Sequence, residues 1–165
     1  MRNIALLIRY DGTAYHGWQT QKNALAVQSV LSTTIKKLTG ARPIPELSGC
    51  GRTDAGVHAL NYVANFKSDC TVPAKKFHLA IAPHLPEDVA VIEAKDAPED
   101  FHARFSCEKK EYVYRIYTAS VPDPFYRNRA CFSPFKIDAD LVNRAAAYYV
   151  GEKDFKVFCA SGATT

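Results

Sequence analysis

Glu46-Leu47-Ser48-Gly49-Cys50-Gly51-Arg52-Thr53-Asp54-Ala55-Gly56-Val57-His58-Ala59-Leu60-Asn61-Tyr62-Val63-Ala64-Asn65-Phe66 reads as two strands joined by a loop, and the rest of the chain arranges itself around them. Leu60, Tyr62, Ala64 and Phe66 alternate with Asn61, Val63 and Asn65, the period-two pattern of a half-buried strand. Residues 46–51 form a short strand before it, which leaves Asp54 in the connection. Glycines at 49, 51 and 56 let that connection come close to another chain or ligand. Arg52 and Asp54 lie two apart, so an extended backbone sets both side chains on one face, where the guanidinium is expected to hold the carboxylate ionised. The residues alone allow two readings. Asp54 is a poised anion, or it is a turn residue bonded to its own backbone, with Gly56 supplying the positive φ.

Upstream, the aliphatic run at 3–10 is the first strand, and Asp11-Gly12 ends it. Apolar residues at 27, 30, 31, 35 and 38 fall on one helical face, and Gly40 and Pro43 stop that helix. Downstream, Pro73 opens a second helix, with Thr71 as a possible cap and Phe77, Ala80 and Ile81 turned inward before Pro83. Residues 88–94 form a fourth strand. The order β-α-β-β-α-β is the ferredoxin-like α+β arrangement, with helices on one face of an antiparallel sheet and the other face free, a common platform for RNA. This unit is expected to span residues 1–97.

Residues 98–165 then begin a second, incomplete unit of the same kind: a long strand at 109–119, a turn-rich loop around Pro122-Asp123-Pro124, a helix at 138–150 capped by Asp138 or Asp140, and a tail. The strand near Tyr112 is expected to extend the first sheet and bring Tyr112 toward Asp54. Part of the apolar stripe Leu141, Val142, Ala145, Ala146 and Tyr149 would then be exposed or covered by another subunit.

Composition is that of a soluble globular protein, 47% hydrophobic and 23% charged, with a net charge of +4. Between His102 and Lys136 seven basic residues face three acidic ones among several tyrosines and phenylalanines, which suits a polyanion with stackable bases as well as a solvated strand face. Cysteines at 50, 70, 107, 131 and 159 have neither disulfide nor zinc spacing and read as free thiols of a cytoplasmic protein. His78 and His84 read as helix-end residues, and no metal or nucleotide motif is present.

Gly51-Arg52-Thr53-Asp54-Ala55-Gly56-Val57-His58-Ala59 resembles the signature of the tRNA pseudouridine synthase A family, in which this aspartate is the essential catalytic residue. Tyr10-Asp11-Gly12-Thr13-Ala14-Tyr15-His16-Gly17-Trp18-Gln19 and Phe101-His102-Ala103-Arg104-Phe105-Ser106 resemble further segments of that family. Glu111-Tyr112-Val113-Tyr114 stands at its Y-x-Y, and Gly151-Glu152-Lys153-Asp154-Phe155 at its G-x-H-D-F, with Lys153 where histidine is usual.

The resemblance implies the pseudouridine synthase fold and isomerisation of uridine at positions 38 to 40 in the anticodon arm of tRNA, by a homodimer, without cofactor or metal. It implies Asp54 as nucleophile or proton acceptor, Arg52 also as the group filling the gap left by the flipped base, and Tyr112 as the ring stacked on uracil. Arg104, Lys109, Lys110, Arg115, Arg127 and Arg129 are candidate phosphate contacts. His58 is either an RNA contact or bonded into its own loop.

The chain resembles the first half and somewhat more of such an enzyme, and by itself is expected to fold and bind tRNA weakly without measurable turnover. The rival reading is a non-catalytic RNA-binding module. A phosphate-directed enzyme is a third, against which Asp54 would repel the anion.

Overall fold

In the computed structural model, which describes residues 1–158, β1 (Arg2–Tyr10) is bonded on both sides. β3 (Ala59–Ser68) and β4 (Val89–Ala97) flank it, both antiparallel, and β2 (Ser48–Gly49) adds to the far side of β3. The order β2-β3-β1-β4 is that of the ferredoxin-like βαββαβ unit. Inward residues meet across the ladders: Ile4, Leu6 and Ile8 oppose Phe66, Ala64 and Tyr62 on one side, and Leu6, Ile8 and Tyr10 oppose Ala94, Val91 and Val89 on the other. In β4 the register shifts between the partners of Leu7 and Ile8. That extra residue, the exposed Ile92, keeps both Val91 and Ala94 inside where strict alternation could not.

Helices α1 (Val27–Thr39) and α2 (Ala74–Ile81) cover this face with Val27, Leu31, Ile35, Phe77 and Ile81, all fully buried. Each such side chain contributes about 1.5–3 kcal/mol relative to exposure. Phe66 and Phe77 meet with ring centroids 5.5 Å apart, joining sheet to helix. α1 has no side-chain cap at Ala26. Its first amides, Val27 and Gln28, donate instead to the carbonyls of Gly17 and Trp18, and Gly40 at φ 67° ends it. α2 begins after Pro73, which occupies the cap position expected for Thr71.

The opposite face is not free along its whole length. Residues 98–106 cross it where Asn3 and Asn65 point outward from the sheet. The Asn3 amide donates to the carbonyls of Pro98 and Phe101 at 2.8 Å each, Asn65 donates to Asn3 Oδ1 at 2.9 Å, and the Ala103 amide donates to Asn65 Oδ1 at 2.8 Å. Two asparagines on neighbouring strands are thus satisfied by each other and by the covering segment.

The chain divides into two compact units, Met1–Tyr112 and Val113–Thr165. In the second, β5 (Ile116–Thr118) pairs in parallel with β6 (Cys131–Ser133), and Asp138 caps α3 (Ala139–Ala146) by accepting from the amides of Asp140 and Leu141. The strand expected at 109–119 is therefore three residues long and does not join the first sheet. A strand persists only where a neighbour takes its ladder groups, and among the described residues only β6 does so. Leu141, Val142 and Tyr149 are more than half exposed. Cys159 lies outside the described residues; Cys50, Cys70, Cys107 and Cys131 are free thiols. Among the described residues no helix is long and apolar enough to cross a membrane.

Candidate active site

The loop from Gly51 to His58 leaves β2 and enters β3, and the segment after β1 holds it from below. Tyr10, the last residue of β1, hydrogen-bonds Thr53 Oγ1 through its hydroxyl at 2.9 Å, and the Trp18 amide donates to the Thr53 carbonyl at 3.1 Å. Tyr62, on β3, donates its hydroxyl to the Gly51 carbonyl. The Gly56 amide donates to the Tyr15 carbonyl at 3.1 Å. Two glycines make this approach possible. A Cβ on Gly12 would stand 2.0 Å from the Val57 carbonyl oxygen, and one on Gly17, at φ 84°, would stand 2.2 Å from that of Thr53.

Positions 51 and 53 are thus tied inward, and 52 and 54 leave the backbone outward: Arg52 and Asp54 are both exposed. No ion pair joins them. Two solvated side chains on an open loop gain too little from pairing to offset the rotamer freedom it costs. Asp54 also takes part in a turn, with its carbonyl accepting from the Val57 amide at 3.2 Å and Gly56 at φ 79°. The turn uses the Asp54 backbone and leaves its carboxylate without a hydrogen bond among the described residues. An ionised carboxylate in that state has all its lone pairs available to an incoming group.

His58 closes the loop. Its Nδ1 lies 2.9 Å from Asp11 Oδ1 and 3.1 Å from the Gly12 amide. One nitrogen cannot serve both at once: protonated it donates to Asp11, and unprotonated it accepts from Gly12. The histidine is bonded to the segment after β1.

Burial governs the tyrosines beneath. It pushes the Tyr10 hydroxyl up to about 12 against the opposing bond to Thr53, with Cys50 and Tyr112 adding to the rise. Burial likewise raises Tyr62, helped by Cys50, and Tyr15, whose hydroxyl donates to Asp88 at 2.6 Å. Tyr112, 64% exposed, lies close enough to act on the hydroxyls of Tyr10 and Tyr62. Lys110 runs along Gly51, its Nζ 3.1 Å from where a Cβ there would stand, and its charge opposes the burial that raises the Cys50 thiol. Irregular backbone therefore brings Tyr112 and Lys110 to the loop where a strand was expected to.

The remaining candidates are spread more widely. Lys109 faces Glu111 at 3.9 Å, and Arg104 sits over the exposed Phe105 ring at 5.9 Å, with the His102 ring tilted against that ring at a centroid distance of 4.5 Å. Arg115, Arg127 and Arg129 belong to the second unit. A groove of about 810 Å³ runs beside β2 and the Asp69 end of β3 and includes no residue of the Gly51–His58 loop.

Tyr10, Tyr62, Gly12 and Gly17 were not singled out as site residues by sequence reasoning. The available signal was tyrosine, rather than phenylalanine or leucine, at inward positions near the loop, since a buried hydroxyl needs a partner.

A βαββαβ sheet whose second and third strands are joined by a glycine-hinged loop presenting one open carboxylate has the pseudouridine synthase fold. Residues 6–106 match the family model described as tRNA pseudouridine synthase, and the chain belongs to that family. It is 47% identical over 161 residues to a tRNA pseudouridine synthase A of Caldicellulosiruptor bescii, covering 98% of this chain and 65% of that protein. It is 44% identical over 164 residues to one from a Thermoanaerobacter species, covering 99% and 66%. The chain thus spans about 65% of the length of these relatives.

Proposed function

We propose that the protein acts in tRNA pseudouridylation, isomerising uridine at positions 38 to 40 of the anticodon arm, as a cytoplasmic homodimer, with Asp54 as the essential carboxylate. The observation that carries this reading is the open Asp54 carboxylate, directed outward by a loop anchored at Gly51, Thr53, Gly56 and His58. Family membership and the names of its relatives support the tRNA substrate.

The reaction moves one bond. Uracil leaves C1′ of the ribose with the electron pair of the N1–C1′ bond, turns over, and returns through C5, whose proton is then transferred to N1, so no outside atom or electron enters. Asp54 serves it by attack on C1′ as the N1–C1′ bond breaks, its ester bond then breaking as C5 bonds to C1′, or by taking a proton from the neighbouring carbon and returning it there as C5 bonds to C1′. Arg52, exposed two residues before it, is suited to the gap left by the extruded base, an extrusion that costs about a few kcal/mol. Tyr112 offers an exposed ring near the loop for stacking, and Lys110, Lys109, Arg104, Arg127, Arg129 and His58 are candidate RNA contacts.

Incubating tRNA with the protein, extended to its relatives' length, and mapping pseudouridine tests this. Asp54→Asn should abolish the product while tRNA affinity stays within about a few fold, because shape is kept and only charge is lost. Turnover by that variant would rule out Asp54 as the essential group.

A further inference from the structure

The inward faces of β1 and β3 end near the loop in tyrosines, and hydrophobic packing alone does not require either hydroxyl. Tyr10, Tyr62 and Trp18 form one block of rings, with Trp18 and Tyr62 centroids 4.1 Å apart and Tyr10 and Tyr62 centroids 5.7 Å apart at an edge-on angle. Phenylalanine would fill the same volume. Each hydroxyl, however, leaves the block at one point and meets the loop: Tyr62 at the Gly51 carbonyl, Tyr10 at Thr53 Oγ1. Gly49 makes room for this, since a Cβ there would stand 2.2 Å from the Tyr62 hydroxyl and 2.6 Å from the Trp18 ring.

We infer that Tyr10 and Tyr62 are positioning residues for Asp54, two phenol hydroxyls that grip the loop at Thr53 and Gly51 and so fix the direction in which Arg52 and Asp54 leave the backbone. This rests on the reading of Asp54 as the reacting carboxylate. The clamp works because its base is rigid. Three buried rings set the hydroxyl positions, and burial keeps both phenols protonated well above neutral pH. Tying alternate residues, 51 and 53, leaves 52 and 54 no inward rotation. A carboxylate displaced by about 1 Å from its reacting carbon can lose on the order of 100-fold in rate.

The test uses Tyr10→Phe, Tyr62→Phe, Thr53→Val and Thr53→Ser in the chain extended to its relatives' length. Single-turnover pseudouridine formation should fall about 10- to 100-fold in the two phenylalanine variants and in Thr53→Val, with tRNA affinity unchanged, and Thr53→Ser should retain most of the rate. Tyr10→Phe combined with Thr53→Val should cost no more than the worse single change, because both remove one bond. Backbone amide exchange gives a readout independent of turnover: amides of residues 51–57 should exchange faster in the phenylalanine variants while those of β1 and β3, and the emission of Trp18, stay as in the parent. Parent-like rates, losses that appear in affinity instead, or losses at Tyr10 and Thr53 that multiply would each overturn the clamp. If the parent protein makes no pseudouridine, the functional reading fails. Amide exchange still decides the clamp, upheld by faster loop exchange and overturned by none.

Discussion

At the scale of the residue, the site is defined by which polar groups are satisfied and which are left open. The buried hydroxyls of Tyr10, Tyr15 and Tyr62 all have partners, whereas the exposed Asp54 carboxylate has none among the described residues. Burial disfavours the phenolates in the folded state, so between about pH 10 and 12 the native form holds protons that the unfolded chain has released, and stability falls as pH rises. The loss begins at the unfolded value near 10.0 and continues past 12, because Tyr62 and Tyr15 are raised further than Tyr10. Ultraviolet titration should show three of the nine tyrosines ionising late, together with unfolding. Full ionisation near pH 10 with the fold intact would contradict this burial. The Tyr112 ring, by contrast, is exposed. If it stacks on a base, Tyr112→Phe should be mild and Tyr112→Ala should weaken transition-state binding by about 1–3 kcal/mol, read from kcat/KM. Equal losses would assign the role to the hydroxyl.

At the scale of the element, the loop and the segment after β1 form one device, and their glycines differ in what they do. Gly12→Ala must drive a Cβ into the Val57 carbonyl, and Gly17→Ala meets the Thr53 carbonyl with a positive φ as well, so each should cost about 1–3 kcal/mol in chemical denaturation and displace the loop. Gly56 also has φ 79°, but nothing lies within 4 Å of its missing Cβ. Gly56→Ala should therefore cost only the backbone term, about 1–2 kcal/mol. Equal losses at Gly12 and Gly56 would mean the close approach is relieved by a shift of the loop.

The same elements mark where the sequence was legible. Apolar spacing at 27, 31 and 35 located α1, and alternation at 62, 64 and 66 located β3, because burial on one face leaves a period in the chain. A tie between Thr53 and Tyr10 leaves no period, since it joins residues 43 apart through one hydroxyl. The run at 109–119 has strand-like composition, but a ladder depends on a neighbour that composition does not supply.

At the scale of the whole molecule, the open question is where the first unit ends. The chain pattern closes at the end of β4, near residue 97, whereas compactness carries the unit through Tyr112. The difference is the segment across the outer sheet face. Cut at 97, the chain keeps every strand of the sheet and both helices but loses the Pro98 and Phe101 carbonyls that accept from Asn3 and the Ala103 amide that donates to Asn65. Water can replace those partners only if the face opens, and each polar group left buried without one costs about 1–3 kcal/mol. The cut also removes Lys110 from Gly51 and Tyr112 from the neighbourhood of Tyr10 and Tyr62. Residues 1–112 should therefore fold cooperatively, with Trp18 emission typical of a buried indole, and residues 1–97 should be less stable by about 2–4 kcal/mol in urea. Replacing Asn3 and Asn65 together by leucine should narrow that gap, because the shorter piece would then expose apolar surface instead of orphaning amides. Equal stability of the two pieces would show that residues 98–112 lie on the sheet without supporting it, and that β4 is the true end of the unit.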